Sequence, residues 1–298
     1  MPDQELMNPL GIPGVTLNDG NLIPQLGYGT LALQPDREST EANARITAAT
    51  VTEALQAGYR HIDTAQAYGT ELGVGRALRE SGLPRDQVFI TSKLANANHA
   101  PGELERSFER TLTHLGVDRL DLFLIHWPLP SRYGGDYVST WRAFEALVAD
   151  GRLRSAGVSN FQPGQLERIV AEAGFIPAVN QFEIHPYFSN GAPRRACAEL
   201  GIAVQAHSPL GHNGAPLKDP VIGRIASALE KTVAQVILRW HIQRGNIVIP
   251  KSASRERMRE NTAIFDFELE PEQLAAIDGL DAGESGRVGP HPDRYAGV

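Results

Sequence analysis

From residue 25 onward the chain alternates short apolar runs with longer helical patterns, and it does so eight times. The runs span residues 25–30, 60–63, 88–92, 120–125, 155–158, 178–181, 203–206 and 246–249. Between them, apolar residues recur at three- and four-residue steps, as in 46–57, 104–115, 141–149 and 166–173; that spacing is helical. Gly58, Gly116, Gly151, Gly174 and Gly201 follow such stretches, where a left-handed helix end favours glycine. Eight strand–helix units in this length predict a (β/α)8 TIM barrel, an α/β fold, rather than a doubly wound sheet. Val15-Thr16-Leu17 and Asn21-Leu22-Ile23 flank Asn18-Asp19-Gly20, a hairpin signal. That hairpin is expected to cap the bottom of the barrel.

The 298 residues carry 42% hydrophobic side chains, enough for a full core. A barrel uses roughly 250 residues as one domain, and no Pro-, Gly- or Ser-rich linker divides the chain. A single domain over 1–298 is expected, with an N-terminal extension at 1–14 and a tail at 283–298. The net charge of −7 argues against a nucleic-acid face. The one cysteine, Cys197, permits no internal disulfide and fits a reducing compartment; it reads as a core residue. The acidic start lacks the pattern of a signal peptide, and no apolar stretch approaches the ~20 residues that span a bilayer. A cytoplasmic protein without membrane or nucleic-acid partners is expected.

Three of the apolar runs end on chemically useful side chains. Asp63 and then Tyr68 follow the second, Lys93 the third and His126 the fourth. In a parallel barrel those tips converge on one mouth, where such folds keep their chemistry. Asp63 and Lys93 suit an ion pair. A phenol beside an ammonium has its pKa pulled below about 10 by roughly one to three units, toward a usable general acid. His126 adds a group able to hold a carbonyl oxygen.

The later tips give Ser159-Asn160, Gln181, His207-Ser208 and Pro250-Lys251-Ser252. Ser, Asn and Gln side chains offer the donors and acceptors that a carboxamide needs. Lys251, Ser252 and Arg257 stand where a helix begins, a favourable place for phosphate. Gly73-Val74-Gly75 lacks the third glycine of a dinucleotide fingerprint and lies inside a helical stretch; helix packing explains it better. A metal site is the rival reading, with His61, Asp63, His126, Glu183, His185 and His207 as candidate ligands. Lys93 would repel a divalent ion and no carboxylate ends the eighth run, so no metal is expected.

These motifs resemble the aldo-keto reductase family. The matching pieces are 58–68, Ile90-Thr91-Ser92-Lys93, Leu124-Ile125-His126-Trp127-Pro128, Gly157-Val158-Ser159-Asn160-Phe161 and Ile249-Pro250-Lys251-Ser252. The start Leu17-Asn18-Asp19-Gly20-Asn21 and the tail Ser285-Gly286-Arg287-Val288 with His291-Pro292 look closest to bacterial 2,5-diketo-D-gluconate reductases. The resemblance implies an NADPH-dependent oxidoreductase that reduces aldehydes and ketones, among them α-keto or sugar-derived carbonyls. It implies a tetrad in which Tyr68 donates the proton, Asp63 holds Lys93, Lys93 tunes Tyr68 and His126 orients the carbonyl. Ser159, Asn160 and Gln181 would bind the carboxamide, with Thr30, Asp63, His207, Ser208 and Leu210 beside the cofactor. Lys251, Ser252, Arg257 and Asn261 would hold the adenosine end and its 2′-phosphate. Trp127, Leu31 and Tyr28 would meet a small-molecule carbonyl substrate, and a monomer is implied.

His207 departs from the family pattern by standing where an aromatic ring usually stacks on the nicotinamide. An imidazole charging near pH ~6.5 would make cofactor affinity pH-dependent. Leu31 replaces a pocket tryptophan of some vertebrate relatives, and residues 35–43 form a longer segment expected near the mouth. The remaining alternatives are an NADPH-binding sensor without catalysis and a metal-dependent hydrolase.

Overall fold

The computed structural model describes residues 10–297 except 101 and 213. The first nine residues, on which the signal-peptide reading and most of the expected extension fall, lie outside the described residues. Two short strands open the fold, β1 (Gly14–Thr16) and β2 (Leu22–Pro24), antiparallel with Val15 opposite Ile23. Gly20 lies at φ 84°, and the Leu17 N–H donates to Asn21 O at 2.8 Å, which closes the turn. There follow β3 (Tyr28–Gly29), α1 (Glu41–Gln56), β4 (His61–Asp63), α2 (Glu71–Ser81), β5 (Phe89–Leu94) and α3 (Glu103–Leu115). Next come β6 (Leu120–Ile125), α4 (Tyr137–Ala149), β7 (Leu153–Ser159), α5 (Pro163–Ala173), β8 (Val179–Glu183) and α6 (Gly191–Leu200). The chain ends with β9 (Ala203–His207), α7 (Pro220–Ala228), α8 (Val233–Gln243), β10 (Ile247–Val248), α9 (Arg255–Thr262) and α10 (Pro271–Asp278).

Strands β3 to β10 form one parallel sheet in chain order. Leu26 bridges Val248 in parallel, and the Gly29 N–H donates to Pro250 O at 3.1 Å. The first strand thus meets the last, as an eight-stranded barrel requires. Of the run 25–30, only Tyr28–Gly29 carries a ladder, with Leu26 as a single bridge. Close approach explains the glycines there: a Cβ on Gly27 would lie 2.6 Å from His61 Nδ1.

Side chains alternate along each strand, and the core divides accordingly. Ile62, Ile90, Phe123, Val158, Phe182 and Val248 pack outward with Val51, Phe108, Phe144 and Trp240 of the helices. Phe89, Leu122, Leu124, Val179 and Ile247 instead cluster with Leu17 and Ile23. The hairpin therefore plugs the N-terminal end, where each buried aliphatic contributes roughly 1.5–3 kcal/mol. Asn18 Nδ2 fixes it to Pro177 O at 2.9 Å and Asn21 Nδ2 to Ser155 Oγ at 3.0 Å.

Gly73 and Gly75 lie in α2, where helices pack closely. A Cβ on Gly73 would sit 2.5 Å from the Thr47 Cβ, and one on Gly75 would sit 2.4 Å from His114 O. Both glycines serve contact with the neighbouring segments. Cys197 is buried in α6 near Asn180 Nδ2, and burial pushes its thiol up to about 12, which leaves it inert. Residues 35–43 run into α1, which begins at Glu41, with the Thr40 hydroxyl accepting from the Asn43 N–H. Thr40 is an N-cap residue of preferred type. Among the described residues no helix is long and apolar enough to cross a membrane.

Candidate active site

The strand alternation that packs Phe89 inward also points Thr91 and Lys93 inward, and Asp63 with His61 on the neighbouring strand. Lys93 Nζ donates to Asp63 Oδ1 at 2.5 Å and to Thr64 O at 2.9 Å. Both side chains are buried, and Gln181 Nε2 donates to the second Asp63 oxygen at 2.8 Å. Tyr68 lies on a 3-10 turn, Gln66–Tyr68, that Gly69 closes at φ 73°. Gln66 bolts this turn to α3 and to the end of β5, through Thr111 Oγ1 at 3.0 Å and the Ala95 N–H at 2.8 Å. Lys93 Nζ lies over the Tyr68 ring, 4.8 Å from its centroid. His126 meets the same ring edge-on at 5.5 Å. The four residues read from the strand tips therefore form one contiguous group.

The electrostatics differ from the expectation in one respect. Burial pushes the Tyr68 phenol above its ordinary value, and Lys93 only partly opposes this. The anticipated lowering does not occur, because the phenol sits in a water-poor site. Burial pulls the Lys93 ammonium down, but Asp63 and Tyr68 outweigh it and hold it above its ordinary value. Burial likewise pushes the Asp63 carboxyl up against the pull of Lys93 and Gln181. Burial and the Lys93 charge keep His126 well below 6.5. Tyr68 is thus held in its protonated form and His126 in its neutral form, with the buried His126 Nδ1 lacking a hydrogen-bond partner among the described residues.

A cavity of about 660 Å³ opens above this group. Its lining includes Thr30, Leu31, Asp63, Tyr68, His126, Trp127, Ser159, Asn160, Gln181, His207, Ser208, Leu210 and Lys251. Asn160, at φ 65°, donates from Nδ2 to His126 O at 3.0 Å and through Oδ1 faces His207 Nε2 at 3.1 Å. Ser159 Oγ donates to Gln181 O at 2.8 Å. Burial holds His207 down at about 4, despite Glu183 nearby. The expected charging near 6.5 is corrected: His207 is neutral at physiological pH.

Several predicted residues lie elsewhere. Tyr28 does not line the cavity; it packs outward, edge-on to Tyr59 at 5.4 Å, with its hydroxyl donating to Ser252 O. Strand alternation explains this correction, since Gly29 is the residue of that strand facing the cavity. Of the proposed phosphate set only Lys251 lines the cavity. Ser252 is buried, Arg257 is exposed in the first turn of α9, and Asn261 is buried against the Tyr59 hydroxyl. The Gln181 amide, expected on a carboxamide, serves Asp63.

Three of the six candidate metal ligands are engaged elsewhere. His61 is enclosed below Lys93, bonded to Thr91 Oγ1 at 3.0 Å, with burial holding it down at about 3. Glu183 and His185 pair with each other at 3.1 Å. Among the described residues, no three His, Cys, Asp or Glu side chains group as a metal site. Arg37, Asn96, His212, Pro290 and Tyr295, none singled out in the sequence, also line the cavity, as does Val288 of the tail motif. Arg37 belongs to the segment expected near the mouth, and the last three to the tail. Gly211 lines the cavity as well.

The family model of the Aldo/keto reductase family matches residues 25–282. The chain belongs to the aldo/keto reductase family. An aldo-keto reductase of Mycolicibacterium smegmatis is 48% identical over 283 residues, 95% of this chain and 98% of that one. The crystal structure of an aldo/keto reductase from Brucella melitensis matches with TM-score 0.83 and 46% identity, covering 91% of this chain and 100% of that one. A Gox0644 mutant crystallised with NADPH matches with TM-score 0.87 and 38% identity, covering 96% and 99%. The chain therefore shares fold and family with proteins that have been crystallised holding NADPH.

Proposed function

We propose that this chain reduces aldehydes and ketones to alcohols with NADPH, and that the Tyr68 phenol supplies the proton. The observation that carries the reading is the buried chain Asp63–Lys93–Tyr68 with His126 across the phenol, of which Asp63, Tyr68 and His126 line one cavity. NADPH, when bound, supplies the hydride, while the protein supplies position and electrostatics. Ser159 and Asn160 would hold the carboxamide, with His207 beside the ring and Thr30, Ser208 and Leu210 around it. Lys251 and Arg257 would hold the 2′-phosphate, with Ser252 and Asn261 supporting them from behind. The cavity suits this load, since it runs from the tetrad to Lys251 and carries the unpartnered His126 Nδ1.

A carbonyl oxygen placed between Tyr68 and neutral His126 meets two groups able to donate to it. As negative charge develops on that oxygen, Tyr68 hands over its proton and Lys93, held by Asp63, stabilises the phenolate left behind. Trp127 and Leu31 would wall the substrate. The resemblance to diketo-gluconate reductases favours α-keto and sugar-derived carbonyls within that class. We also propose that the chain acts as one domain, as a monomer, in the cytoplasm. NADPH consumption with a panel of simple aldehydes and α-keto compounds tests the reading, with stoichiometric alcohol as the supporting result.

Two further outcomes are expected. Alanine at Lys251 or at Arg257 should weaken NADPH by about tenfold or more and NADH little, since a charge-assisted hydrogen bond contributes roughly 1.5–3 kcal/mol. Isothermal titration with both cofactors checks this; equal losses would show that neither residue reads the phosphate. The reduction rate at saturating substrate should be flat between about pH 6 and pH 9. His126, with its pKa lowered, is neutral throughout, and Tyr68, with its pKa raised, is protonated throughout. Activity falls only as pH rises through the Tyr68 value or drops through that of His126. A step near pH ~6.5 in the profile would contradict the assignment.

A further inference from the structure

The C-terminal tail crosses the mouth and is held at two places. At the first, Gly286 presses on the loop after β8, where an added Cβ would lie 1.8 Å from Tyr187 O. The Arg287 guanidinium covers the Phe188 ring at 4.5 Å. The N–H groups of Val288 and Gly289 then donate to the two oxygens of Glu183, at 2.7 and 2.8 Å. At the second place Tyr295 packs on Trp127 at 4.3 Å, and Gln165 Nε2 donates to Asp293 Oδ1 at 3.0 Å. Between these holds, Val288, Gly289, Pro290 and Tyr295 wall the cavity. The sequence motif Ser285-Gly286-Arg287-Val288 is thereby accounted for.

Glu183 is 4% exposed and accepts a third contact from His185 Nε2 at 3.1 Å. It stands two residues after Gln181 on β8, so one strand face carries both the support of Asp63 and the anchor of the tail. Only a carboxylate offers an acceptor oxygen to each N–H; an amide would turn a second donor toward one of them. Gly289 must be glycine-sized, since a Cβ there would lie 2.8 Å from Glu183 Oε2.

We propose that Glu183 is a positioning residue that clips the tail across the mouth and so sets the size of carbonyl substrate the cavity grips. The inference rests on the carbonyl-reductase reading above. A substrate too small to reach the tail is indifferent to the clip, whereas a bicyclic one leans on it.

The test compares propanal with 2-naphthaldehyde, using NADPH and the full chain. Glu183→Gln and Glu183→Ala should raise KM for 2-naphthaldehyde about tenfold, equivalent to ~1.4 kcal/mol, and leave propanal within about twofold. Val288→Pro removes one tail donor and sets a ring carbon against the Glu183 oxygen it served, while residue 183 keeps its carboxylate; the preceding Arg287, at φ −59° and ψ 133°, suits a following proline. It should shift the same KM, and combining it with Glu183→Ala should add little. Limited proteolysis should cut the tail faster in every variant. An unchanged KM ratio in folded Glu183→Gln and Val288→Pro, or fully additive shifts, would overturn the clip. If the wild type reduced neither aldehyde, the carbonyl-reductase reading would fail, and unchanged tail cutting in the variants would then overturn the clip separately.

Discussion

Lys93→Met is expected to destabilise the fold by about 3–5 kcal/mol, because removing one partner of a buried ion pair strands the other. The methionine fills much of the same space, so the loss is electrostatic. Asp63 would retain Gln181 as a donor but no cation. Its carboxyl, already pushed up by burial, would rise further. A carboxyl raised in the folded state favours folding below its unfolded pKa and loses that contribution as pH rises. The deficit of the variant should therefore shrink on acidification from pH 7 toward about pH 5. Urea unfolding at several pH values measures it. Adding Asp63→Asn should recover much of the loss, since no buried charge then remains. A Lys93→Met protein as stable as the wild type at pH 7 would show that the pair is not held dry.

The four reactive tips were legible because period-two strands ending at one mouth leave few alternatives for Asp63, Lys93 and His126. Tyr68 followed from the short turn after Asp63. The faces of short or distorted segments were not legible. Tyr28 sits between two glycines, and it turns outward because Gly27 faces His61 and Gly29 faces the cavity. Gln181 carries an amide equally suited to a carboxamide and to a carboxylate, and its choice of Asp63 depends on contact across the barrel between β4 and β8. The direction of the Tyr68 shift was missed because a nearby cation is visible in a sequence and the exclusion of water is not. The tail was recognisable as a motif, but its purpose appeared only once Glu183 was seen to meet two of its N–H groups.

Tyr68→Phe removes a single oxygen and keeps the ring against His126. Placed acid–base groups contribute roughly 10²–10⁴-fold, so kcat should fall by at least ~100-fold. Lys93 retains Asp63 and Thr64 O, so the fold should be little changed. NADPH affinity should also hold within about threefold, because the proton is needed only as the carbonyl oxygen gains charge. The direct measurement is NADPH consumption and alcohol formation by wild type and Tyr68→Phe at saturating cofactor, beside their NADPH dissociation constants. Rapid turnover by the wild type, a loss of at least ~100-fold in the variant and unchanged NADPH binding are expected. Equal turnover by the two proteins, or NADPH bound by the wild type without reduction of any carbonyl, would contradict it.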